Sequence, residues 1–473
     1  MKTFKFLTIL RSQFTRVLKI FTSMSSTTRS LRDYTHRPDE LFALSDRDLL
    51  LLVHGEFSEE LRRLNSAYSV GGRKSDVNLQ TISPSKILYP NDKDHDEVNR
   101  TLISILTLKW IYRDQYNTVV GNQEAGLELS DESFQDIRKF YEETFRNPEE
   151  LYALMMSVII NDIGKDEGLA VEIANETGEP VGTDNHDMVL VKAVDAGLVK
   201  CLDRLTPEYK EDLVRGMRLG ADFNFGQLAQ AENVPAALET FEIIKGHPRS
   251  FKLRFMEQLL DIAGAAGHLD WTGAKKLNQG NYDAYQAVYD AGLGIITHDH
   301  PNLRAGYDLV LQRRLDLLRR KGFRELDLNK EDDRALARIL CMSSVGDLDT
   351  VELYTRAWTS LEDSVKKPLC KALNKDGLNG NTAVQVTYSP ALVTQAVDPK
   401  GPRSAEEKER SLQSALRYLE RVMSAPIDVE GTKSYVERNV LHTLKNVVQT
   451  QEFRDDPTIL EKAEIPEICF TKP

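Results

Sequence analysis

The sequence has few cysteines, and none of them are closely spaced. The four cysteines lie far apart and form no Cys-x-x-Cys pair; they are Cys201, Cys341, Cys370 and Cys469. A disulfide framework or a structural zinc site needs closely spaced cysteines, so the sequence predicts neither. This usage is typical of a reducing compartment, which here means the cytoplasm or the mitochondrial matrix.

Positive charge is also scarce over the chain as a whole. The 61 Lys and Arg residues are outnumbered by 73 Asp and Glu residues, which gives a formal net charge of −12. A surface that follows nucleic-acid phosphates needs a basic face, so we do not expect a nucleic-acid partner. Hydrophobic residues make up 41% of the chain and charged residues 28%, which is ordinary for a soluble globular protein. The sequence predicts no integral membrane segment.

Acidic residues are absent from residues 1–32, which carry seven Lys and Arg residues. Without those seven charges, the rest of the chain would stand at −19. Apolar residues recur at helical spacing along this arm, and residues 1–35 therefore resemble a mitochondrial presequence. The alternatives are a basic tail, or translation that starts at Met24 and leaves a cytosolic protein.

Known catalytic motifs and strand patterns are missing as well. The chain contains no Walker loop, dinucleotide-binding glycine motif, nucleophile elbow or His-Glu-x-x-His helix. Only Thr382–Tyr388 alternates like a strand, and no fixed-period repeat is visible. These absences favour an all-α protein over an α/β enzyme or a solenoid.

Helical periodicity dominates what is present. Ser130 and Asn147-Pro148 give clear helix start signals, because they place a capping side chain or a first-turn proline before apolar periodicity. The pattern predicts helices at 45–66, 98–113, 131–145, 149–161, 184–200, 207–231, 250–268, 281–296, 302–321 and 331–342.

The length and two loop-like segments predict several units. A chain of 473 residues exceeds the usual size of a single core. Residues 69–94 and 375–405 are rich in Gly, Ser, Pro, Asn and Asp. We therefore divide the chain into an arm at 1–35, a helix and linker at 36–94, a helical core at 95–330, and a C-terminal helical region at 331–473.

The most informative segment is Asn161-Asp162-Ile163-Gly164-Lys165, at the end of a nearly all-apolar helix. Asp162 would lie at the edge of a core, where an unpaired charge is costly. Its partner would be a helix cap, a basic residue such as Lys165, or a metal. In one interpretation the segment is only a helix C-terminus with Gly164 as a left-handed cap.

This segment resembles the His-Asp-Ile-Gly-Lys signature of the HD superfamily of all-helical metal-dependent phosphohydrolases. The resemblance implies an HD-like core in which the metal ligands are His95, Asn161, Asp162, His186 and Asp203. The implied cofactor is Mn, Fe, Zn or Mg, which makes a hydroxide nucleophile available near neutral pH. Asp162 and Lys165 would be catalytic, with Lys165 stabilising charge on a small phosphorylated substrate.

Asn161 stands where that family has its paired histidine, and a carboxamide oxygen is a weak ligand for such metals. Asn161 therefore favours an alternative, a catalytically inactive helical binding or scaffold protein. A non-haem iron oxygenase that uses the same ligands is a third hypothesis. The chain as a whole is similar to an uncharacterised family of fungal proteins; the similar stretches are residues 159–165, 185–190, 223–233 and 261–268.

Two further segments carry polar candidates. Asp261 and His268 are alternative metal ligands, and the small residues at 264–267 between them would let a helix or a ligand approach the backbone. Residues 223–233 place amides three residues apart, which predicts a polar stripe on one helical face that binds a ligand or joins two helices; these are Asn224, Gln227, Gln230 and Asn233.

Overall fold

The computed structural model describes residues 29–68, 81–182, 185–398 and 403–472, and these are all-α apart from three short strands. The predicted fold class is therefore confirmed. Most of the basic arm predicted at 1–35 lies outside the described residues. Among the described helices, none is both long enough and apolar enough to cross a membrane.

The first part of the chain consists of helices joined mostly by short turns. Their bounds are α1 Leu31–Thr35, α2 Pro38–Ala43, α3 Asp46–Glu56, α4 Ser58–Ser66, α5 Pro84–Leu88, α6 Asp96–Tyr112, α7 Tyr116–Val120, α8 Asp131–Arg146, α9 Pro148–Ile160, α10 Glu167–Thr177, α11 His186–Asp195, α12 Pro207–Asp222, α13 Phe225–Ala229, α14 Pro248–Gly264, α15 Gln279–Ile296 and α16 Leu303–Arg320. Single 3-10 segments lie at Ile163–Lys165, Lys200–Arg204 and Pro235–Ile244.

The C-terminal part adds further helices and a small sheet. The helices are α17 Glu331–Met342, α18 Leu348–Thr359, α19 Asp363–Leu373, α20 Ser389–Val397, α21 Ala405–Ser424, α22 Leu441–Thr443 and α23 Gln451–Asp455, with a π turn at Leu444–Val448 and a 3-10 segment at Pro457–Lys462. The strands are β1 Ala383–Thr387, β2 Tyr435–Asn439 and β3 Ile468–Lys472. β1 pairs in parallel with β2, which pairs antiparallel with β3. The strand predicted at 382–388 is confirmed.

The predicted helix starts are confirmed where capping residues mark them. The Ser130 hydroxyl accepts a hydrogen bond from the Ser133 N–H at the start of α8. At the start of α9 the Asn147 side chain accepts one from the Glu150 N–H, and Pro148 occupies the first turn. These bonds satisfy N–H groups that have no partner within the helix.

Two predicted helices are each broken in two, at a buried phenylalanine. The helix predicted at 45–66 divides at Phe57, whose φ of −121° and ψ of 36° lie outside the helical region. The helix predicted at 207–231 ends at Phe223, where φ is −146° and ψ is 121°. Both rings are buried in the core, Phe223 4.9 Å from Phe241 between ring centroids. Burial of these rings thus outweighs helical continuity.

The buried side chains form two hydrophobic cores that meet along α16. Val310 and Leu311 belong to the first core, which α1 to α15 surround. Leu315 and Leu318, one to two turns further on, belong to the second core, which the C-terminal helices and sheet complete. One helix therefore contributes to both cores.

Candidate functional site

The segment Asn161–Lys165 lies deep inside the first core. Helix α9 ends at Ile160, Asn161 caps it, and a short 3-10 turn follows at Ile163–Lys165. Gly164 is not a left-handed cap, since it is not among the glycines with positive φ. A β-carbon added at Gly164 would instead overlap the backbone carbonyl of His186. The glycine is therefore needed for close packing of this turn against α11.

Lys165 is held between two buried carboxylates. Its Nζ lies 2.8 Å from Asp162 Oδ1 and 3.1 Å from Glu97 Oε2, and Glu97 comes from α6. The side chains of Lys165, Asp162 and Glu97 are 6%, 8% and 0% exposed. The carboxylate that the sequence left in need of a partner is therefore paired with Lys165.

His186 and Asn161 extend this arrangement on either side of Asp162. His186 Nε2 lies 3.4 Å from Asp162 Oδ1 and 3.8 Å from Asp187 Oδ2. The side-chain oxygen of Asn161 accepts a hydrogen bond of 3.0 Å from Arg254 Nη1. Arg254 also forms a short ion pair with Glu257 on the same helix, α14. Asn161 thus has a guanidinium partner.

Helices α6 and α14 supply most of the remaining charges. Arg100 Nη1 on α6 lies 2.8 Å from Glu97 Oε1, and Asp261 on α14 accepts a hydrogen bond of 3.3 Å from Gln258. The two helices approach closely at Gly264, where a β-carbon would overlap Ser104 and the Arg100 carbonyl. The small residues predicted to allow a close helix approach therefore do so. We call these side chains the charge cluster: Glu97, Arg100, Asn161, Asp162, Lys165, His186, Asp187, Arg254, Glu257 and Asp261.

The electrostatics favour the charged forms of the central pair. Burial acts to raise the pKa of Asp162, but Lys165 and His186 outweigh it and hold that pKa below its ordinary value. Burial likewise acts to lower the pKa of Lys165, but Asp162 and Glu97 keep it raised. Burial raises the pKa of Asp261, and the nearby charge of Asp162 adds to the effect. The cluster therefore fixes one ion pair and weakens the acidity of a neighbour.

Three of the candidate ligands form no hydrogen bond or ion pair with Asp162 in the part of the chain that the structure describes. His95 Nδ1 is 3.2 Å from the Asn65 carbonyl oxygen, and its Nε2 is 3.0 Å from Asp92 Oδ2. Asp203 is exposed and pairs with Lys210 at 2.7 Å. His268 is partly buried, and neither ring nitrogen has a hydrogen-bond partner among the described residues. Of the candidate residues, the structure brings Asn161, Asp162, Lys165, His186 and Asp261 into one cluster.

The residues around Asp162 do not fit a metal as they stand. Asp162 Oδ1 faces an ammonium group, and the Asn161 oxygen faces a guanidinium. Within the described ranges, no three His, Cys, Asp or Glu side chains are arranged to hold a metal ion. The cation in contact with Asp162 and Glu97 is Lys165.

The space beside the cluster is small. A cavity next to Asn161, Arg254 and Glu257 has a volume of about 20 Å³, which is enough for one water molecule. Larger concave surfaces lie on either side of α8, with volumes of about 790 and 960 Å³. Lys139 lines both of these surfaces. A third surface of about 720 Å³ lies beside β3, so volumes large enough for a substrate are found at α8 and β3 and not in the cavity beside Asn161.

Five residues of the cluster do not figure in the sequence prediction: Asp187 is one, and the other four form two pairs, Glu97 with Arg100 and Arg254 with Glu257. A signal for the two pairs does exist. Each pair places opposite charges three residues apart within an apolar helix, and such pairs face the same side. Opposite charges on the buried side of two helices indicate a shared polar cluster between them.

Comparison with protein-family models identifies the family of this chain. A sequence model described as a family of unknown function (DUF6829) matches residues 50–460. The chain belongs to DUF6829. Neither a curated protein nor a solved structure gave a significant match. The DUF6829 match covers most of the first hydrophobic core, the whole second core and the whole charge cluster.

Proposed function

We propose that this DUF6829 chain is a helical binding or scaffold protein on an HD-like core, whose charge cluster binds no metal and has lost hydrolase chemistry. The observation that carries the proposal is the position of Lys165, whose ammonium group contacts both Asp162 and Glu97. A divalent cation bound by Asp162 would meet that ammonium, and like charges at this separation repel strongly in a buried site.

Asn161 supports the same conclusion from the other side of Asp162. Its carboxamide oxygen accepts a hydrogen bond from Arg254, so a metal would have to displace a guanidinium as well. A protonated or arginine-paired ligand set is expected to bind metals weakly, because metal ligands must be free to donate electron pairs. The two cations Lys165 and Arg254 thus satisfy the residues that a metal would use.

A metal-dependent phosphohydrolase is the competing function, and one observation favours it. His186 Nε2 lies 3.4 Å from Asp162 Oδ1, so two of the ligand types that such a metal needs are adjacent. This function requires Lys165 to leave Asp162 when the metal binds. A non-haem iron oxygenase would use the same pair and has the same requirement.

Metal analysis of the purified wild type and its variants separates these functions. We expect the wild-type chain to bind no Mn, Fe or Zn through Asp162, so that metal content after dialysis and uptake in a calorimetric titration are the same for the wild type and Asp162→Asn. Lys165→Met leaves Asp162 and Glu97 without their ammonium partner, and we expect it to bind divalent ions more tightly than the wild type. Lys367→Met, on an exposed pair, is the matched control.

The proposal fails if wild-type protein holds a stoichiometric metal that Asp162→Asn loses, or if added Mn, Fe or Zn produces hydrolysis of a generic phosphate ester that Asp162→Asn abolishes. Wild-type protein that stays inactive with each of the three metals, while Lys165→Met gains affinity, supports a charge cluster that works without a metal.

A further inference from the structure

A second polar site lies where the two hydrophobic cores meet at β1. The turn after α13 brings Glu232 and Asn233 against β1, beside its partner β2, where Ala383 belongs to the first core and Val384 to the second. We call the side chains gathered there the polar ring: Gln227, Glu232, Asn233, Gln385, Thr387 and Glu437. Two of the four amides singled out in the sequence, Gln227 and Asn233, belong to it.

Hydrogen bonds link the members of the ring. Asn233 Nδ2 donates to Gln227 Oε1 at 3.4 Å and to Gln385 Oε1 at 3.2 Å. Gln385 Nε2 donates to Glu437 Oε1 at 3.1 Å, and Gln227 Nε2 donates to Glu232 Oε1 at 3.3 Å. The linked side chains therefore run from one carboxylate, Glu232, to the other, Glu437.

The two carboxylates of the ring lack a cationic partner. Glu232 is 5% exposed, yet within the part of the chain that the structure describes neither it nor Glu437 has a Lys, Arg or His nitrogen within 4.0 Å. Arg338 lies behind Glu232, but its guanidinium donates to backbone carbonyls. Glu232 is buried and Glu437 is half-buried, and a carboxylate removed from water without a compensating charge is costly.

Asn233 gives an independent indication that the ring binds something. The residue is 3% exposed, and its Oδ1 accepts no hydrogen bond from any described residue. Nδ2 of the same amide donates to Gln227 and Gln385, so the unpaired oxygen belongs to an amide that two members of the ring hold in place. A buried amide oxygen without a protein donor is almost always satisfied by an ordered water or a bound ion.

The atoms of the polar ring that could bind a metal are carboxylate, carboxamide and hydroxyl oxygens. No histidine or cysteine belongs to the ring. Hard cations such as Ca²⁺ and Mg²⁺ prefer carboxylate and amide oxygens and keep several waters when few carboxylates are present. We propose that the polar ring binds one hard divalent cation through Glu232, Glu437 and the Asn233 side-chain oxygen, and that this ion joins the two cores.

A proton is the competing occupant. Burial, together with the nearby charge of Glu437, raises the pKa of Glu232 to about 7 despite the hydrogen bond from the Tyr388 N–H. Protonated Glu232 would remove part of the charge without any metal. A cation that binds the ring must displace this proton, so its affinity is expected to fall as the pH is lowered below 7.

Calorimetry and thermal unfolding of the full chain test the proposal. Protein stripped with EDTA and dialysed is titrated separately with MgCl₂, CaCl₂ and MnCl₂ at constant ionic strength. We expect one saturable site and a rise in melting temperature with at least one of these ions. Glu232→Gln and Glu437→Gln are each expected to weaken binding by about tenfold or more.

Three comparisons keep the test decisive. Glu239→Gln makes the same change in charge at an exposed position on the adjacent 3-10 segment and should bind like the wild type. Glu232→Gln retains an oxygen that accepts the Tyr388 N–H, so it should fold, as circular dichroism would verify. Lys165→Met should leave this site unaltered, which separates it from the charge cluster. The proposal is overturned if none of the three ions binds the wild type and raises its melting temperature, or if Glu232→Gln binds the ion as tightly as the wild type does.

Discussion

Gly164 packs so closely against His186 that a single added carbon atom would overlap the His186 carbonyl oxygen. The same contact carries His186 to within 3.4 Å of Asp162. The glycine of the Asn-Asp-Ile-Gly-Lys segment therefore determines how closely α11 approaches the turn that bears Asp162.

Gly164→Ala is expected to destabilise the fold by about 2–3 kcal/mol, because the added methyl group must push α11 away from the turn. Chemical denaturation measures the change. Gly55→Ala is the matched control, since Gly55 lies in α3 with nothing within 4 Å of its would-be β-carbon. That substitution should stabilise by about 0.5–1 kcal/mol. Equal stability of both variants would contradict the packing role of Gly164.

Lys165→Met is expected to lower the free energy of unfolding by about 3–5 kcal/mol, because it leaves Asp162 and Glu97 buried without their ammonium partner. The loss should be partly recovered in the double variant with Asp162→Asn, since one uncompensated charge is then removed. Lys367→Met, in an exposed pair, should change stability by less than about 1 kcal/mol. Urea unfolding curves of the four proteins test this, and a double variant no more stable than Lys165→Met would contradict it.

Asn161→His is expected not to restore metal binding, even though it recreates the His-Asp pair. Lys165 still contacts Asp162 in this variant. The substitution also removes the Asn161 oxygen that accepts a hydrogen bond from Arg254. The combination with Lys165→Met should bind Zn²⁺ or Mn²⁺, because it supplies an imidazole and frees the carboxylate. Metal content after dialysis distinguishes the two proteins. Stoichiometric metal in Asn161→His alone would mean that Lys165 does not block the site.

Stability in the absence of divalent cations should fall between pH 5 and pH 7 through Glu232. Its pKa is raised to about 7 in the folded chain from an ordinary value of 4.5, so the folded protein holds a proton that the unfolded chain releases. The free energy of unfolding should therefore fall with rising pH by about 1.4 kcal/mol per unit from this group, and level off above about pH 7.

Glu232→Gln should remove this contribution to the slope, while Glu239→Gln should retain it. The contributions of Glu257 and Asp261, whose pKa values burial also raises, should remain in both variants. Saturating divalent cation should also remove the Glu232 contribution in the wild type, because the ion keeps Glu232 ionised in the fold. Unfolding curves recorded at several pH values, with and without the ion, give the comparison. An identical slope in wild type and Glu232→Gln would show that another group is responsible.

The sequence predicts the helices well, but it predicts poorly which side chains contact each other in the fold. The reasons are physical. Caps at Ser130 and Asn147 act within one turn, so short-range pattern is enough to place α8 and α9. Breaks at Phe57 and Phe223 depend on where a ring is buried in three dimensions, which local periodicity does not contain. Tertiary packing outweighs helical propensity at both positions.

The candidate site shows the same division. The need of Asp162 for a partner follows from its place at the end of an apolar helix, and Lys165, three residues on, is within local reach. Glu97 and Arg254 come from distant helices, α6 and α14, so only the assembled fold shows that they complete the cluster. The polar ring likewise joins Asn233 to Gln385, which is 152 residues away.

Because α16 contributes to both cores, we expect that the chain cannot be divided into two fragments that fold separately. Leu311 lies in the first core and Leu315 in the second, so each core depends on the same helix. A fragment that ends near residue 330 would present Leu315 and Leu318 to water, and a fragment that begins there would lack them. We therefore expect the two parts to be found together in one chain. The family match agrees with this, since it runs from residue 50 to residue 460 and covers both.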